Sequence, residues 1–283
     1  MKFSVSYPTP THGADPDTLV TFARHVEACG FEAIYIPDHV ALYPGARIGG
    51  NEVPTTLPFP DPIDCLTFVA AHTDRLLLGT GVLLLPYRHP ILLAKRLATL
   101  DLLSKGRLRL LTVGVGGLPG EAAALGVDYA TRGRRADEAL DVLRLLWSGG
   151  PDGVEFHGEF FDFAEVCVYP KPSTAEFPIH IGGSSPAAAR RAGRRGNGYF
   201  AGGTLTPGER ARQLTLARSE ATAAGRDPAR LEYTRWGSTD LTPERIAALT
   251  AEGVDRIVVN ASLGPLNAQL DELSAFAELI RDR

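Results

Sequence analysis

Residues 76–96 read LLLGTGVLLLPYRHPILLAKR, and this stretch decides the fold. Its first apolar run is short and unbroken, which is typical of a strand buried on both faces in a parallel sheet. Gly79 and Gly81 flank Thr80 where that strand should end, so the backbone there can take unusual dihedrals and a flat ligand can lie against it. Pro90 suits the first residue of a following helix. The stretch predicts strand, loop and helix, either with a cofactor seat at the strand end or as an ordinary turn without chemistry.

Composition places the chain among ordinary globular proteins and argues against several classes of partner. It has 283 residues, of which 44% are hydrophobic and 22% charged, with a net charge of −4. That charge gives no general attraction for nucleic acid or an acidic membrane surface. The first residues, MKFSVSY, lack the apolar core of a signal peptide, and no apolar run reaches about 18 residues, so we expect a cytoplasmic protein. The three cysteines and seven histidines have no metal-type spacing, so no metal site is expected.

Strand-like and helix-like segments alternate along almost the whole sequence. The predicted strands are 2–7, 33–36, 76–82, 108–113, 178–181, 198–201, 231–236 and 256–259, and the predicted helices are 16–29, 63–73, 91–103, 132–147, 187–195, 209–224, 243–252 and 268–281. Eight consecutive pairs without a composition shift favour a closed (β/α)₈ TIM barrel, one domain over 1–283, rather than an open sheet. Segments 42–62 and 149–177 exceed normal connections and are expected to be insertions that shape an opening at the carboxyl ends of the strands.

A barrel of this kind gathers its functional residues in the loops that follow the strands. The first and third of these loops supply aromatic and basic side chains. We expect the substrate pocket to be formed by Tyr7, His12, Tyr87 and Arg88. Apolar and aromatic walls suit many small molecules, so the sequence does not identify the substrate.

The second strand ends in the pair Asp38-His39, which predicts proton transfer. Histidine titrates near neutral pH, and a neighbouring carboxylate can fix its tautomer. Because adjacent residues on a strand point in opposite directions, the two side chains can also serve different partners. We therefore predict His39 and Asp38 as catalytic residues, with a structural role for the dipeptide as the alternative.

Glycine-rich turns follow the fourth and fifth strands. Gly114, Val115 and Gly116 lie in TVGVGG, which lacks the GxGxxG spacing and the acidic residue of a dinucleotide-binding Rossmann motif. The turn Gly182, Gly183, Ser184, Ser185 precedes Pro186 at a helix start. Free amides at such a start, together with glycines that allow close approach, predict a phosphate site. Ordinary helix capping explains Ser185 and Pro186 but accounts less well for two successive glycines.

Several long segments, in the same order, resemble the bacterial luciferase-like superfamily, particularly its actinobacterial branch that depends on the deazaflavin coenzyme F420. They include GFEAIYIPDHV, LLLGTGVLLLPYRHPILLAKRLATLDLLSKGRL, FHGEFFDF and IHIGGSSPAAARRAGRRGNGY. The resemblance implies a (β/α)₈ barrel that binds coenzyme F420, or alternatively flavin mononucleotide (FMN), at the strand ends. It implies a non-prolyl cis peptide at Gly81-Val82 beneath the cofactor ring.

The resemblance also assigns roles to the residues singled out above. Asp38 and His39 match the pair that contacts the ring and transfers the proton in family dehydrogenases. The cofactor would be held by Asp38, Thr80, Gly81, Val82, Gly114, Val115, Gly116, Gly182, Gly183, Ser184 and Ser185. Family members that oxidise sugar phosphates carry a glutamate where this chain has Gly117, so that substrate does not transfer directly, and Glu121 is the nearest acid to consider.

Three hypotheses of function remain at the level of the sequence. The first is an F420-dependent oxidoreductase that passes hydride between the cofactor and a small organic substrate. The second is a monooxygenase that uses reduced FMN and oxygen. The third is a flavin-binding protein without catalysis, against which the pair Asp38-His39 counts. By resemblance alone we also expect a homodimer.

Overall fold

Parallel pairing between the first and last strands closes the sheet into a barrel. The computed structural model describes residues 1–281. Its strands are β1 (Lys2–Ser6), β2 (Ala33–Ile36), β3 (Arg47–Ile48), β4 (Asn51–Glu52), β5 (Leu77–Thr80), β6 (Leu83–Leu84), β7 (Leu108–Gly114), β8 (Val154–His157), β9 (Asp162–Val166), β10 (Ile179–Gly183), β11 (Gly198–Ala201), β12 (Glu232–Ser238) and β13 (Arg256–Asn260). Its α-helices are α1 (Thr9–His12), α2 (Pro16–Ala28), α3 (Pro62–His72), α4 (Pro90–Leu103), α5 (Pro119–Ala124), α6 (Arg132–Ser148), α7 (Pro186–Arg195), α8 (Pro207–Ala223), α9 (Pro243–Ala251) and α10 (Leu266–Ile280).

The barrel strands run in the order β1, β2, β5, β7, β10, β11, β12 and β13, all in parallel, and β13 returns to β1. Lys2 pairs with Arg256 at this closure, and Ile179 pairs with Leu111 across the longest connection. Helices lie between successive strands, so the predicted (β/α)₈ barrel is confirmed. All functional loops that follow the strands therefore open at one end of the molecule.

Two apolar layers hold the barrel together. One lies inside the ring and contains Tyr35, Leu110, Phe200 and Val258. The other lies between the ring and the helices, where α4 buries Leu93, Leu97 and Leu100 and α6 buries Ala136, Leu140, Leu143 and Trp147, as their helical spacing predicts. Strands between these two layers are buried on both faces, which explains their continuous apolar sequences.

The third barrel strand is shorter than predicted. β5 ends at Thr80, and a cis peptide bond joins Gly81 to Val82, as the family resemblance implied. The chain then forms the short β6, in which Leu83 pairs with Val113 of β7. The sequence indicated a strand end here through Gly79, Thr80 and Gly81, although the predicted strand extended to residue 82.

The two insertions lie in different kinds of connection. Segment 42–62 follows β2 and contains the β3–β4 hairpin, at the expected carboxyl end of the strands. Segment 149–177 instead joins α6 to β10 and contains the β8–β9 hairpin, so its placement after a barrel strand is corrected. Glu138 of α6 accepts hydrogen bonds from the backbone N–H groups of Glu159 and Phe160, at 2.7 and 2.9 Å. These bonds attach the hairpin turn to α6, and the Phe161 ring also lies 5.6 Å from the His89 ring.

An ion cluster occupies the amino-terminal ends of the strands, inside the ring. The Arg256 side chain is buried, forms an ion pair with Glu32, and donates to Glu232 Oε2 at 2.8 Å. Burial alone would raise the pKa of Glu232, but the Arg256 guanidinium outweighs that effect and lowers the pKa to about 2. Charge pairing therefore stabilises this end of the barrel only while Glu232 is ionised.

We expect acid to weaken the fold through Glu232. Its folded-state pKa lies below its usual value near 4.5, so its contribution to stability is complete above that value and is lost as the pH falls toward 2. Urea unfolding measured stepwise from pH 6 to pH 2 should give a falling free energy, with a shallower fall in Glu232→Gln. Equal slopes in the variant and the parent would contradict this assignment.

Candidate active site

A cavity of about 990 Å³ opens at the carboxyl ends of the strands. Its lining residues lie at or just beyond the carboxyl ends of all eight barrel strands and include Tyr7, His39, Val82, Gly116, Ser184, Gly202, Trp236 and Asn260. Its volume lies at the upper end of the range for small-molecule and cofactor sites. The β3–β4 insertion adds Arg47, Ile48 and Gly49 to the rim. One cavity therefore holds the loops that the sequence analysis singled out separately.

His39 is the imidazole of this cavity, and a buried carboxylate holds it from behind. Its Nδ1 lies 3.2 Å from Glu121 Oε2, and Glu121 has no exposed side-chain surface. Glu121 Oε1 also accepts hydrogen bonds from the backbone N–H groups of Val40, at 2.6 Å, and Ala41, at 3.2 Å. An ionised carboxylate at Nδ1 selects the tautomer that carries its proton on Nδ1, which leaves Nε2 as a proton acceptor. Within residues 1–281, Nε2 has no hydrogen-bond partner.

Several hydrogen bonds keep Glu121 ionised. Burial raises the pKa of its carboxyl, but the hydrogen bond with His39 and those from the backbone more than offset this effect, so the pKa lies below its usual value. Glu121 faces the far side of the imidazole and does not line the cavity. Glu121 therefore holds His39 from behind and is separated from the cavity.

Asp38 has a different environment from its neighbour. Its Oδ2 accepts from Arg88 Nη1 at 2.6 Å and from the backbone N–H of Leu84 at 2.8 Å, and its Oδ1 accepts from Arg88 Nη2 at 3.2 Å. Burial raises the pKa of Asp38, and the Arg88 guanidinium acts in the opposite direction. A carboxylate held on both oxygens by a guanidinium is a structural anchor and is poorly placed to exchange a proton. Asp38 lines the cavity, but its hydrogen bond with the Leu84 amide holds the backbone of β6 in place.

Two glycines make room for Val82 on the cavity wall. A Cβ at Gly182 would lie 2.4 Å from Val82 Cγ1, and one at Gly114 would lie 2.5 Å from Val82 Cγ2. Real side chains do not approach this closely, so any larger residue at either position would displace Val82. The result is a wall made of backbone and one small branched side chain, which fits the face of a planar ring.

The turn before α7 presents free backbone amides to the cavity. Gly183 O accepts from Tyr199 Oη at 3.1 Å, and Ser184 O accepts from Gln213 Nε2 at 2.9 Å, so the turn is held from behind. Ser185 caps α7 by accepting from Ala188 N. Among residues 1–281, the N–H groups of Ser184 and Ser185 have no acceptor. Amides of this kind at a helix start form an anion site, which fits the phosphate of a flavin or deazaflavin.

The structure brings most of the predicted site residues together. The cavity wall contains Tyr7, Asp38, His39, Gly81, Val82, Gly114, Val115, Gly116, Gly182, Gly183, Ser184 and Ser185. Four predicted residues lie elsewhere. Thr80 is fully buried, and its Oγ1 donates to Thr112 O at 2.7 Å, so it joins β5 to β7. His12 Nε2 lies 2.8 Å from Gln269 Oε1, away from the wall.

The other two predicted pocket residues support the wall from outside. Tyr87 is packed behind Gly116, where a Cβ would lie 2.4 Å from its hydroxyl oxygen. Arg88 pairs with Asp38 and, at 2.9 Å, with Asp61. The sequence placed both side chains in a loop after β5, but the direction in which each points depends on partners that are distant in sequence.

Sequence analysis missed several aromatic and polar members of the cavity. Phe59, Phe200, Trp236 and Asn260 all line it. The Phe59 ring lies 5.0 Å from the His39 ring in an edge-to-face arrangement, and Phe200 lies 4.6 Å from Trp236. Trp236 and Asn260 occupy the last part of barrel strands, so their position at strand ends was a usable signal. Phe59 lies in the proline-rich insertion, where nothing in the sequence indicated its direction.

Comparison with known proteins agrees with this architecture. Residues 1–258 match the family described as luciferase-like monooxygenases. An uncharacterized protein of Mycobacterium tuberculosis is 31% identical over 274 residues, which cover 92% of this chain and 93% of that protein. An F420-dependent glucose-6-phosphate dehydrogenase of Microbacterium testaceum is 34% identical over 189 residues, 65% of this chain and 52% of that protein. The chain thus matches about half the length of this dehydrogenase.

A solved structure extends the similarity to the complete fold. An F420-dependent secondary alcohol dehydrogenase, in complex with an F420–acetone adduct, superimposes with a TM-score of 0.82 over 99% of this chain and 98% of that one, at 18% identity. The chain belongs to the luciferase-like monooxygenase family. It is an oxidoreductase of that family.

Residues 1–281 lack two further features, a membrane-spanning helix and a cluster of metal-binding side chains. They contain no helix that is long and apolar enough to cross a membrane. In the same part of the chain, no group of three or more histidine, cysteine, aspartate or glutamate side chains could hold a metal ion.

Proposed function

We propose that this protein is an F420-dependent oxidoreductase that transfers hydride between the deazaflavin and a small organic alcohol or carbonyl compound. The observation that carries the proposal is the pair His39–Glu121, in which Nδ1 is held at 3.2 Å and Nε2 is left to the cavity. Oxidation of an alcohol releases a proton from oxygen as hydride leaves carbon, and a positioned imidazole contributes to that step as general base.

The wall residues fit the cofactor by shape and charge. Val82, seated between Gly114 and Gly182, provides the surface for the ring. The free amides of Ser184 and Ser185 would hold its phosphate. When bound, the deazaflavin supplies the carbon that accepts or gives up the hydride. The protein binds and orients both molecules, and His39 Nε2 takes the proton from the substrate oxygen or returns it.

Sequence similarity also favours the deazaflavin. The relative from Microbacterium testaceum, 34% identical in the matched region, is named as F420-dependent. Its sugar-phosphate substrate is not part of the proposal, because Gly117 replaces the acid of that family branch. Phe59, Trp236 and Leu263 add apolar surface to the rest of the wall, which also contains Arg47 and Arg132.

A second candidate function is oxygenation with reduced FMN, which the name of the matched family supports. A flavin-binding protein without catalysis is the third. Oxygen activation by a reduced flavin is chemistry of the cofactor. Storage of a cofactor requires no reaction at all. Neither gives a reason for a buried carboxylate dedicated to one imidazole, and this is why we rank the dehydrogenase first.

Spectral titration of the purified protein with F420 and with FMN tests the cofactor directly. We expect saturable binding of F420 and reduction of its visible absorbance when members of a panel of small alcohols are added. Exclusive binding of FMN, with oxygen consumption on reduction, would replace the proposal by the monooxygenase. Binding of either cofactor without turnover of any alcohol and without oxygen consumption would favour the third candidate.

Glu121→Gln should lower turnover without loss of cofactor. The variant keeps the size of the side chain but removes the charge that selects the Nδ1–H tautomer of His39. We expect kcat to fall roughly tenfold or more, with an unchanged Kd for F420. Nitrogen-15 NMR of the imidazole should show loss of the single tautomer. Retention of both kcat and tautomer would remove Glu121 from the mechanism.

We also propose that the protein is a cytoplasmic homodimer. The three cysteines are unpaired, which suits a reducing compartment.

The proposed dimer surface lies on the neighbouring helices α3 and α4. They expose the apolar residues Phe68, Leu92, Leu102 and Leu103, which are 39%, 68%, 45% and 64% exposed. Apolar patches of this kind mark protein interfaces. Light scattering should give a dimer for the parent chain and a monomer for Leu92→Glu/Leu103→Glu. A parent chain that is a monomer at micromolar concentration would contradict the proposal.

A further inference from the structure

A second cavity, of about 660 Å³, lies at the other end of the barrel. Its lining includes Phe177, Asn197 and Leu231, which directly precede or lie close to the first residues of β10, β11 and β12. The last turns of α6 and α7 and the end of α8 complete it. The amino-terminal ends of these strands face away from the active-site loops, so this cavity is separate from the site already described.

The lining of this cavity carries more positive than negative side chains. Five arginines line it, Arg144, Arg194, Arg195, Arg226 and Arg230, against two carboxylates, Glu176 and Asp227. Arg194 pairs with Glu220 at 2.7 Å, and Arg195 pairs with Asp141 at 3.0 Å. Within residues 1–281, none of the other three arginines has a carboxylate at ion-pair distance. Counted with Glu176 and Asp227, which also line the cavity, these three guanidinium groups leave a net positive charge.

Part of this cluster also serves the fold. Arg226 donates to the carbonyl oxygens of Gly193 and Gly196, both at 2.6 Å, and Arg144 donates to that of Arg195. These contacts provide donors for carbonyl oxygens at the carboxyl end of α7, which have no partner within the helix. A guanidinium carries five N–H donors, however, so the contacts leave donors unused. Within the described chain, Arg230 makes no side-chain hydrogen bond and is exposed, so helix capping does not explain it.

The pKa values of Arg226 and Arg144 are lowered partly by the charges of other arginines in this cluster. Burial lowers the pKa of Arg226, and the charge of Arg230 lowers it further. Burial also lowers the pKa of Arg144; Asp141 acts against this effect, while Arg226 and Arg195 add to it. Arginines that disfavour one another's charge are stabilised when an anion enters between them.

We propose that this cavity binds a multiply charged phosphate group, of the kind carried by pyrophosphate or a nucleoside diphosphate. Guanidinium groups match phosphate oxygens in a bidentate geometry. The volume suits a ligand of nucleotide size. Trp147 and Phe177, which are only 6% and 5% exposed, form the apolar floor beside the arginines. This site goes beyond the proposed redox function and does not depend on it.

Calorimetric titration of the full chain with pyrophosphate, at constant ionic strength, tests the proposal. We expect saturable binding in the parent and at least a tenfold weaker Kd in Arg230→Gln, because a charge-assisted hydrogen bond is lost. Arg230 makes no contact within the described chain that the fold needs, so the variant should melt like the parent. Arg212→Gln, an exposed arginine of α8 outside the cavity, is the matched control and should bind like the parent.

The active-site amides could also hold pyrophosphate, and the stoichiometry separates the two sites. Two sites in the parent and one in Arg230→Gln would support the proposal, as would density between Arg226 and Arg230 in a soaked crystal. Absence of heat at millimolar pyrophosphate, or equal affinity and stoichiometry in the parent and Arg230→Gln, would overturn the site.

Discussion

His39→Gln should reduce kcat by roughly a hundredfold to ten-thousandfold, the range that a positioned general base contributes. Glutamine keeps most of the volume of the side chain but cannot take a proton from the substrate. The effect is expected in turnover of the best alcohol in the panel, measured as deazaflavin reduction. Because the wall that holds the cofactor is formed by Val82 and by the amides before α7, the Kd for F420 should change by less than about threefold.

A fall in kcat with a nearly unchanged Kd for F420 would assign His39 to proton transfer. Loss of cofactor affinity together with turnover would assign His39 to binding instead of proton transfer. Unchanged turnover would remove it from the chemistry altogether. Glu121→Gln, which leaves the imidazole in place, should have a smaller effect in the same direction, because it disturbs only the orientation and tautomer of the ring.

Arg88→Ala should destabilise the fold by about 3–5 kcal/mol, the usual effect of removing one partner from a buried ion pair. The Asp38 side chain is only 1% exposed, and Arg88 supplies two of its hydrogen bonds. Without the guanidinium, the carboxylate stays buried with only the Leu84 amide as a partner. Urea unfolding, followed by circular dichroism, measures the change.

Arg96→Ala is the matched control for this experiment. Arg96 also pairs with Asp61, and with Asp64, but its side chain is 41% exposed. Exposed pairs contribute about 0–1 kcal/mol, so the control should remain close to the parent. The double variant Asp38→Ala/Arg88→Ala should be less destabilised than the sum of the two single variants. Additive effects, or similar losses in Arg88→Ala and Arg96→Ala, would contradict a buried structural pair.

The two neighbouring residues of the PDH sequence thus have separate tasks. Asp38 fixes the β6 backbone through Leu84 and Arg88, on one side of the cavity. His39 faces the cavity with Glu121 behind it. This division agrees with the alternation of side chains along an extended chain, which already allowed different partners for the two residues. The His39 imidazole is thus held by the distant Glu121 and not by the neighbouring carboxylate.

The sequence by itself determined the barrel and the places where its chemistry gathers. Apolar segments at strand period, alternating with helices whose leucines share one face, leave few ways to bury both surfaces, and a closed parallel ring is one of them. Once the ring is closed, glycine turns such as 114–116 and 182–185 must meet at one end. Local composition was sufficient here because strand and helix formation depend mainly on the period of nearby residues.

Only the tertiary structure decided which side chains face the cavity and which partners they take. Glu121 reaches His39 from 82 residues away, and Arg88 reaches Asp38 from 50. Thr80 and His12 turned out to join other elements, while Trp236 and Phe59 reached the wall. Pairings of this kind depend on the direction of each side chain and on how the helices and loops pack around the ring. Local sequence period specifies neither, because several partners compete for each buried charge until the whole chain is packed.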